Sequence, residues 1–254
     1  MIIVPGEILL DVFPDYRRIG GAPFNFAYHL HHFGLPVRFV SRIGRDADGE
    51  YIRSWLKTLD FDDRFIQVDD FYPTGRVNVI MEDDGSHRFE ILPDTAYDHI
   101  VLADIFPDAP KNDQRHSYDH VDIIYFGTLV QRTPEGFSRM REFLSNRPSR
   151  ARTLCDINLR PVFYPDGVIT SSLEQADILK LNGQELDYLR DLLPQQSRGT
   201  DAFVSWLMDA YGIEWVALTL GKKGSRIYTR EGMHKTTGAE PRRVVDTVGA
   251  GDAY

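Results

Sequence analysis

A single cysteine, Cys155, stands in 254 residues. That excludes a disulfide within the chain and fits a reducing compartment. Lysines and arginines form no run, and the net charge is −9. Both features argue against a nucleic-acid surface or an anionic membrane as main partner, while leaving room for a small nucleotide. No apolar stretch is long enough to span a bilayer. The start, Met1-Ile2-Ile3-Val4-Pro5-Gly6-Glu7, lacks the basic region of a signal peptide, and Glu7 and Asp11 interrupt its apolar run. A cytoplasmic location is therefore expected. No Gly-x4-Gly-Lys-Ser/Thr loop and no dinucleotide fingerprint after a strand occurs. His29, His31 and His32 crowd one segment and His116 and His120 another. Neither set has the further clustered ligands of a metal site. Cys155 has no base beside it in sequence and reads as core.

What remains is an ordinary globular composition, 42% hydrophobic and 26% charged. Strand-like runs at 2–4, 8–10, 37–43, 121–126, 153–157, 177–181 and 215–220 alternate with helical patterns at 24–33, 51–59, 134–144, 183–193 and 201–211. Such alternation predicts an α/β fold with a mostly parallel sheet covered on both faces. One segment breaks the rhythm: residues 75–82 and 87–92 alternate about Asp83-Asp84-Gly85, the signature of a β-hairpin. In these folds ligands bind beyond the carboxyl ends of the strands.

Several polar stretches fall at those ends. Asp246-Thr247-Val248-Gly249-Ala250-Gly251-Asp252 closes the chain. Glycines let amide groups approach an anion closely, and a helix start adds unpaired N–H groups. Asp252 could then take a proton from a substrate hydroxyl. The same residues also suit an ordinary loop. Gly20-Gly21-Ala22-Pro23-Phe24-Asn25 pairs two glycines with an amide suited to sugar hydroxyls, or forms a plain helix entry. Asp11, after the first strand, either grips hydroxyls or is a surface loop aspartate. In Asp156-Ile157-Asn158-Leu159-Arg160 three polar side chains would share one face if the chain stays extended. Asn182 and Glu185 fit a capping box as well as a ligand site. Thr219-Leu220-Gly221-Lys222-Lys223-Gly224 is a basic turn that could meet phosphates or be only a turn.

Taken in order, these stretches resemble the ribokinase-like (PfkB) carbohydrate kinases, over essentially the whole chain. Gly-Gly-Ala-Pro-x-Asn and Asp-x-Asn-Leu-Arg look most like fructokinases. The resemblance implies a doubly wound, mostly parallel sheet with helices on both faces and a small β-sheet lid, formed by residues near 11–19 and 74–92. It implies one domain over 1–254, C-terminally incomplete because family members usually continue further. The implied reaction is ATP-dependent phosphorylation of a ketohexose, D-fructose to fructose 6-phosphate. Ketodeoxygluconate, ribose or a nucleoside are alternative acceptors, and a non-catalytic sugar-binding relative is the rival class. Asp252 would be the base, with Gly249, Ala250 and Gly251 as the anion hole. Asp11, Gly20, Gly21 and Asn25 would hold the sugar, and Arg160 the substrate or the transferring phosphate. Asn182, Glu185, Thr219, Gly221 and Gly224 would serve the nucleotide and its phosphates. Glu185 would organise Mg²⁺ through water, and Asp246 a monovalent cation such as K⁺. Sugar and ATP are the expected partners, with a homodimer through the lid as a further candidate.

Overall fold

The computed structural model describes residues 1–81, 87–105, 121–160, 164–165, 167–195 and 199–238. The Asp246–Asp252 motif, the strand expected at Arg243–Val245, the pair His116 and His120, and the turn at Asp83–Gly85 lie outside the described residues. Within them, β1 (Ile2–Pro5), β4 (Val37–Gly44), β5 (Ile66–Asp69), β8 (Ile123–Gly127), β9 (Arg152–Asp156), β10 (Ile178–Asn182) and β11 (Trp215–Thr219) form a parallel array. An antiparallel pair, β12 (Ser225–Thr229) and β13 (Gly232–Thr236), extends its edge. The order is β13-β12-β11-β10-β9-β8-β1-β4-β5.

Alternation along the central strands builds two cores. Ile3, Val40, Ile124 and Phe126 join one hydrophobic cluster, while Val4, Phe39 and Tyr125 join the other. Neighbouring residues of a strand point to opposite faces, so a strand buried on both sides must be apolar throughout. Helices α1 (Ala22–His32), α2 (Ala47–Thr58), α3 (Pro134–Ser145), α4 (Val168–Glu174), α5 (Gly183–Leu192) and α6 (Thr200–Tyr211) accompany the strands. Local chemistry fixes their starts: Asp46 accepts from the Gly49 amide at α2, and Thr133 from the Gly136 amide at α3.

A second sheet runs β3-β2-β6-β7, from β2 (Leu9–Val12), β3 (Arg17–Gly20), β6 (Gly75–Met81) and β7 (His87–Ile91). The hairpin expected at 75–92 is its β6–β7 half. Residues near 11–19 supply its other half, with Pro14 and Asp15 in the bend between β2 and β3. Asp46 and Asp48 fasten this sheet to the main body. Asp46 accepts from the Thr74 amide at 2.8 Å and the Thr74 hydroxyl at 2.7 Å. Asp48, at the start of α2, takes Arg17 of β3 at 2.7 Å and also Arg76 of β6.

The strand order reverses at β1, which has β4 on one side and β8 on the other. That is the topological switch point, where a crevice opens beyond the strand ends in sheets of this kind.

Candidate active site

Leaving β1, the chain turns through Gly6 and Glu7 into the small sheet, then returns through Gly20 and Gly21 into α1. Gly21 has φ of 109°, and a Cβ there would lie 2.5 Å from the Glu7 carbonyl oxygen. Only glycine suits that backbone and that contact. At Gly20 a Cβ would meet Asp11 Oδ2 at 2.5 Å. The missing side chain thus makes room for the Asp11 carboxylate across the β2–β3 ladder. Asp11, Arg18, Gly20 and Asn25 line one cleft of about 280 Å³, floored by aromatic side chains. Three of the residues proposed from sequence for sugar are therefore together, and Gly21 adjoins them. Arg160 is not among the lining residues.

A second cluster sits at the ends of β9 and β10. Asp156, 2% exposed, accepts from Tyr125 Oη at 3.1 Å and from Lys180 Nζ at 2.8 Å. The extended row expected over Asp156, Asn158 and Arg160 does not form. The strand ends at Asp156, and Asn158 adopts φ of 40°, which breaks the alternation. Glu185 fixes the resulting loop. Its Oε1 accepts from the Leu159 amide at 2.9 Å and its Oε2 from the Asn182 amide at 2.8 Å. Asn182 Oδ1 accepts in turn from the Glu185 amide at 2.9 Å, completing a capping box. Burial pushes the Glu185 carboxyl above its ordinary range despite these bonds.

Across the next ladder, Thr219 pairs with Asn182. Gly221 has φ of 56°, and among the described residues a Cβ there would meet nothing within 4 Å. Gly224 differs: a Cβ would lie 2.0 Å from the Thr236 carbonyl oxygen, so packing against β13 requires this glycine.

Sequence reasoning missed several participants. Glu7 is 3% exposed beneath Gly21 and acts electrostatically on Tyr97, Arg132 and Tyr164. An acid directly after Pro5-Gly6 within an apolar run was its available signal. Arg132 pairs with Asp98 through two bonds, Nε to Oδ1 at 2.8 Å and Nη2 to Oδ2 at 2.6 Å. Tyr164 accepts from the Arg160 amide at 3.3 Å and from the Thr128 hydroxyl at 3.2 Å. Cys155 is fully buried, and burial holds its thiol well above the ordinary value, which suits a core residue and no nucleophile. Among the described residues no three His, Cys, Asp or Glu side chains group as a metal-ligand set.

Comparison with known proteins decides the family. The model of the pfkB family carbohydrate kinases matches residues 15–254. The chain belongs to that family. It is a carbohydrate kinase, and its large, mostly parallel sheet with a second small sheet is the ribokinase-like fold. It is 28% identical over 269 residues to a fructokinase of Rhizobium leguminosarum bv. trifolii, covering 100% of this chain and 77% of that protein. The fructokinase of Xylella fastidiosa, solved with bound ATP, superposes with a TM-score of 0.82 at 23% identity, over 99% of this chain and 78% of that one. The fructokinase of Vibrio cholerae O395, solved with fructose, ADP and a calcium ion, gives 0.79 at 21%, over 99% and 80%. These two likenesses show the fold of this kinase. Among its described residues, no helix is long and apolar enough to cross a membrane.

Proposed function

We propose that this kinase transfers the γ-phosphoryl group of ATP to D-fructose, giving fructose 6-phosphate. The observation that carries the reading is the cleft of Asp11, Gly20 and Asn25 at the glycine start of α1. Its carboxylate and amide together accept from and donate to neighbouring hydroxyls, as a polyol requires. The relative at 28% identity that is a fructokinase supports the choice of sugar.

In this reading Asp252 takes the proton of the acceptor hydroxyl as its oxygen attacks the γ-phosphorus and the bond to ADP breaks. Amides of Gly249, Ala250 and Gly251 receive the charge that develops on the phosphoryl oxygens. Gly221 offers its backbone to the nucleotide, with Thr219 beside it. Gly224 supports that turn through its contact with β13. Mg²⁺, when bound, neutralises phosphate charge; it usually keeps several waters and needs only one or two carboxylates. Glu185 fits such a water-mediated role, since backbone amides already occupy both of its oxygens. Asp246 serves a monovalent cation, and Arg160 meets the transferring phosphate. The small sheet acts as a lid that limits water at the acceptor.

Asp252→Asn tests the assignment of the base. Turnover should fall by about 10²–10⁴-fold while fructose binding survives. Unchanged turnover would remove Asp252 from that role.

A further inference from the structure

Three histidines crowd α1, and the structure gives each different surroundings. His31 places Nε2 3.2 Å from the Leu59 carbonyl oxygen, tying α1 to the end of α2, and its ring stands edge-on to Phe61 at 5.1 Å. His32 turns Nδ1 back to the Tyr28 carbonyl at 3.1 Å, within its own helix. His29 goes elsewhere. It lies four residues beyond Asn25, so the two share a face of α1. Both line the cleft that also holds Asp11 and Gly20. His29 is half-buried, and its ring stands edge-on to Tyr28 at 5.6 Å. Tyr28 is stacked in turn on Trp55 at 5.9 Å, and both of these side chains line the cleft as well. Among the described residues no hydrogen bond to a protein group occupies the His29 imidazole. The aromatic floor therefore steadies this ring without using its nitrogens.

We infer that His29 is a specificity-determining residue of the acceptor subsite, reading a hydroxyl at the end of the sugar remote from the glycine start of α1. The inference rests on the sugar-kinase reading above. Four helical residues rise about 6 Å along the axis. One sugar ring with its hydroxyls can bridge that span, meeting the Asn25 end of the cleft and the His29 end at once. An imidazole carries a donor N–H in either protonation state and, when neutral, an acceptor nitrogen too. A hydroxyl both donates and accepts, so it matches the ring in either state. A hydrogen in place of that hydroxyl would leave the imidazole without a partner. His29 thus ranks acceptors by the placement of one hydroxyl.

Titration calorimetry without nucleotide tests this on the wild-type protein, His29→Ala and His29→Gln. The ligands are D-fructose, its monodeoxy analogues and 2,5-anhydro-D-mannitol, which lacks the anomeric hydroxyl. His29→Ala should weaken fructose binding by about 3- to 10-fold, the loss expected for one hydrogen bond. His29→Gln, which keeps a donor and an acceptor, should recover part of it. Alanine is the better helix former, so α1 should stay intact in the first variant, which circular dichroism checks. The KM for ATP should stay within about two-fold, because the contact is to the acceptor alone. The penalty of His29→Ala should vanish for the one analogue that lacks the hydroxyl being read and persist for the others. Equal fructose binding by wild type and His29→Ala, or the same penalty on every analogue, would overturn the inference. A wild-type protein that binds no sugar would overturn the proposed function first and the inference with it, a result distinct from either of those.

Discussion

Arg132→Met should destabilise the protein by about 3 kcal/mol, because it strands a buried carboxylate. The Arg132 side chain is 9% exposed and that of Asp98 1%. Two charge-assisted bonds join them, and Arg132 Nη2 also donates to the Leu92 carbonyl at 2.8 Å. Burial works against the Arg132 charge, but the bonds to Asp98 outweigh it and hold the guanidinium above its ordinary pKa. Removing one member of such a pair typically costs about 3–5 kcal/mol, most of it the penalty on the partner left behind. Here the lower end applies. Asp98 keeps the Thr95 amide at 2.9 Å and the Thr95 hydroxyl at 3.2 Å, so its charge is not wholly abandoned. Urea unfolding followed by circular dichroism would read the change as a lower midpoint at unchanged slope. The double variant Arg132→Met/Asp98→Asn should recover part of the loss, since no unpaired charge remains. A single-variant cost below about 1 kcal/mol would refute the claim that this pair is a buried tie between the segment after β7 and the segment after β8.

Two further outcomes follow from the same structure. Burial opposes ionisation of Asp46, but the Thr74 and Gly49 groups outweigh it and hold its pKa below the ordinary 3.8. Its contribution is therefore present above that value and lost as pH falls through the folded pKa. Calorimetric melting between about pH 5 and pH 3 should show a shallower acid loss for Asp46→Asn than for wild type, and identical slopes would contradict this. Glu185→Gln keeps one acceptor and turns an amide NH₂ toward a backbone N–H. It should cost about 1–3 kcal/mol in urea unfolding, and no measurable change would mean that the Leu159 and Asn182 bonds do not hold in solution.

Much of the architecture was legible because the buried strands carry continuous apolar runs. Ile123–Gly127 is one, and no surface loop would need such a run. The start of α5 was readable because a side chain does the capping, at Asn182. β3 escaped notice because both of its arginines have work on opposite faces, which erases the apolar alternation. β13 is exposed at every position, so no burial pattern could mark it. α4 starts at Gly167 without a side-chain cap and was missed for that reason.

The site shows the same division. Asp11, Gly20 and Asn25 were found from residue chemistry, and the structure brings them to one cleft. The row over Asp156–Arg160 failed because a single positive φ at Asn158 undoes a pattern that assumes extended chain. Arg132 went unseen because its partner Asp98 is 34 residues away, and the pairing of Lys180 with Asp156, 24 residues apart, likewise leaves no local trace.

The most direct test of the account is fructose-dependent ADP formation by the purified protein with ATP and Mg²⁺, with the product identified by NMR. Turnover that yields fructose 6-phosphate, and that exceeds turnover on 2-keto-3-deoxygluconate, ribose and nucleosides, is the expected result. Phosphorylation of one of those acceptors with fructose left untouched would contradict the assignment of the sugar. Tight sugar binding with no ADP formed from any acceptor would contradict catalysis itself.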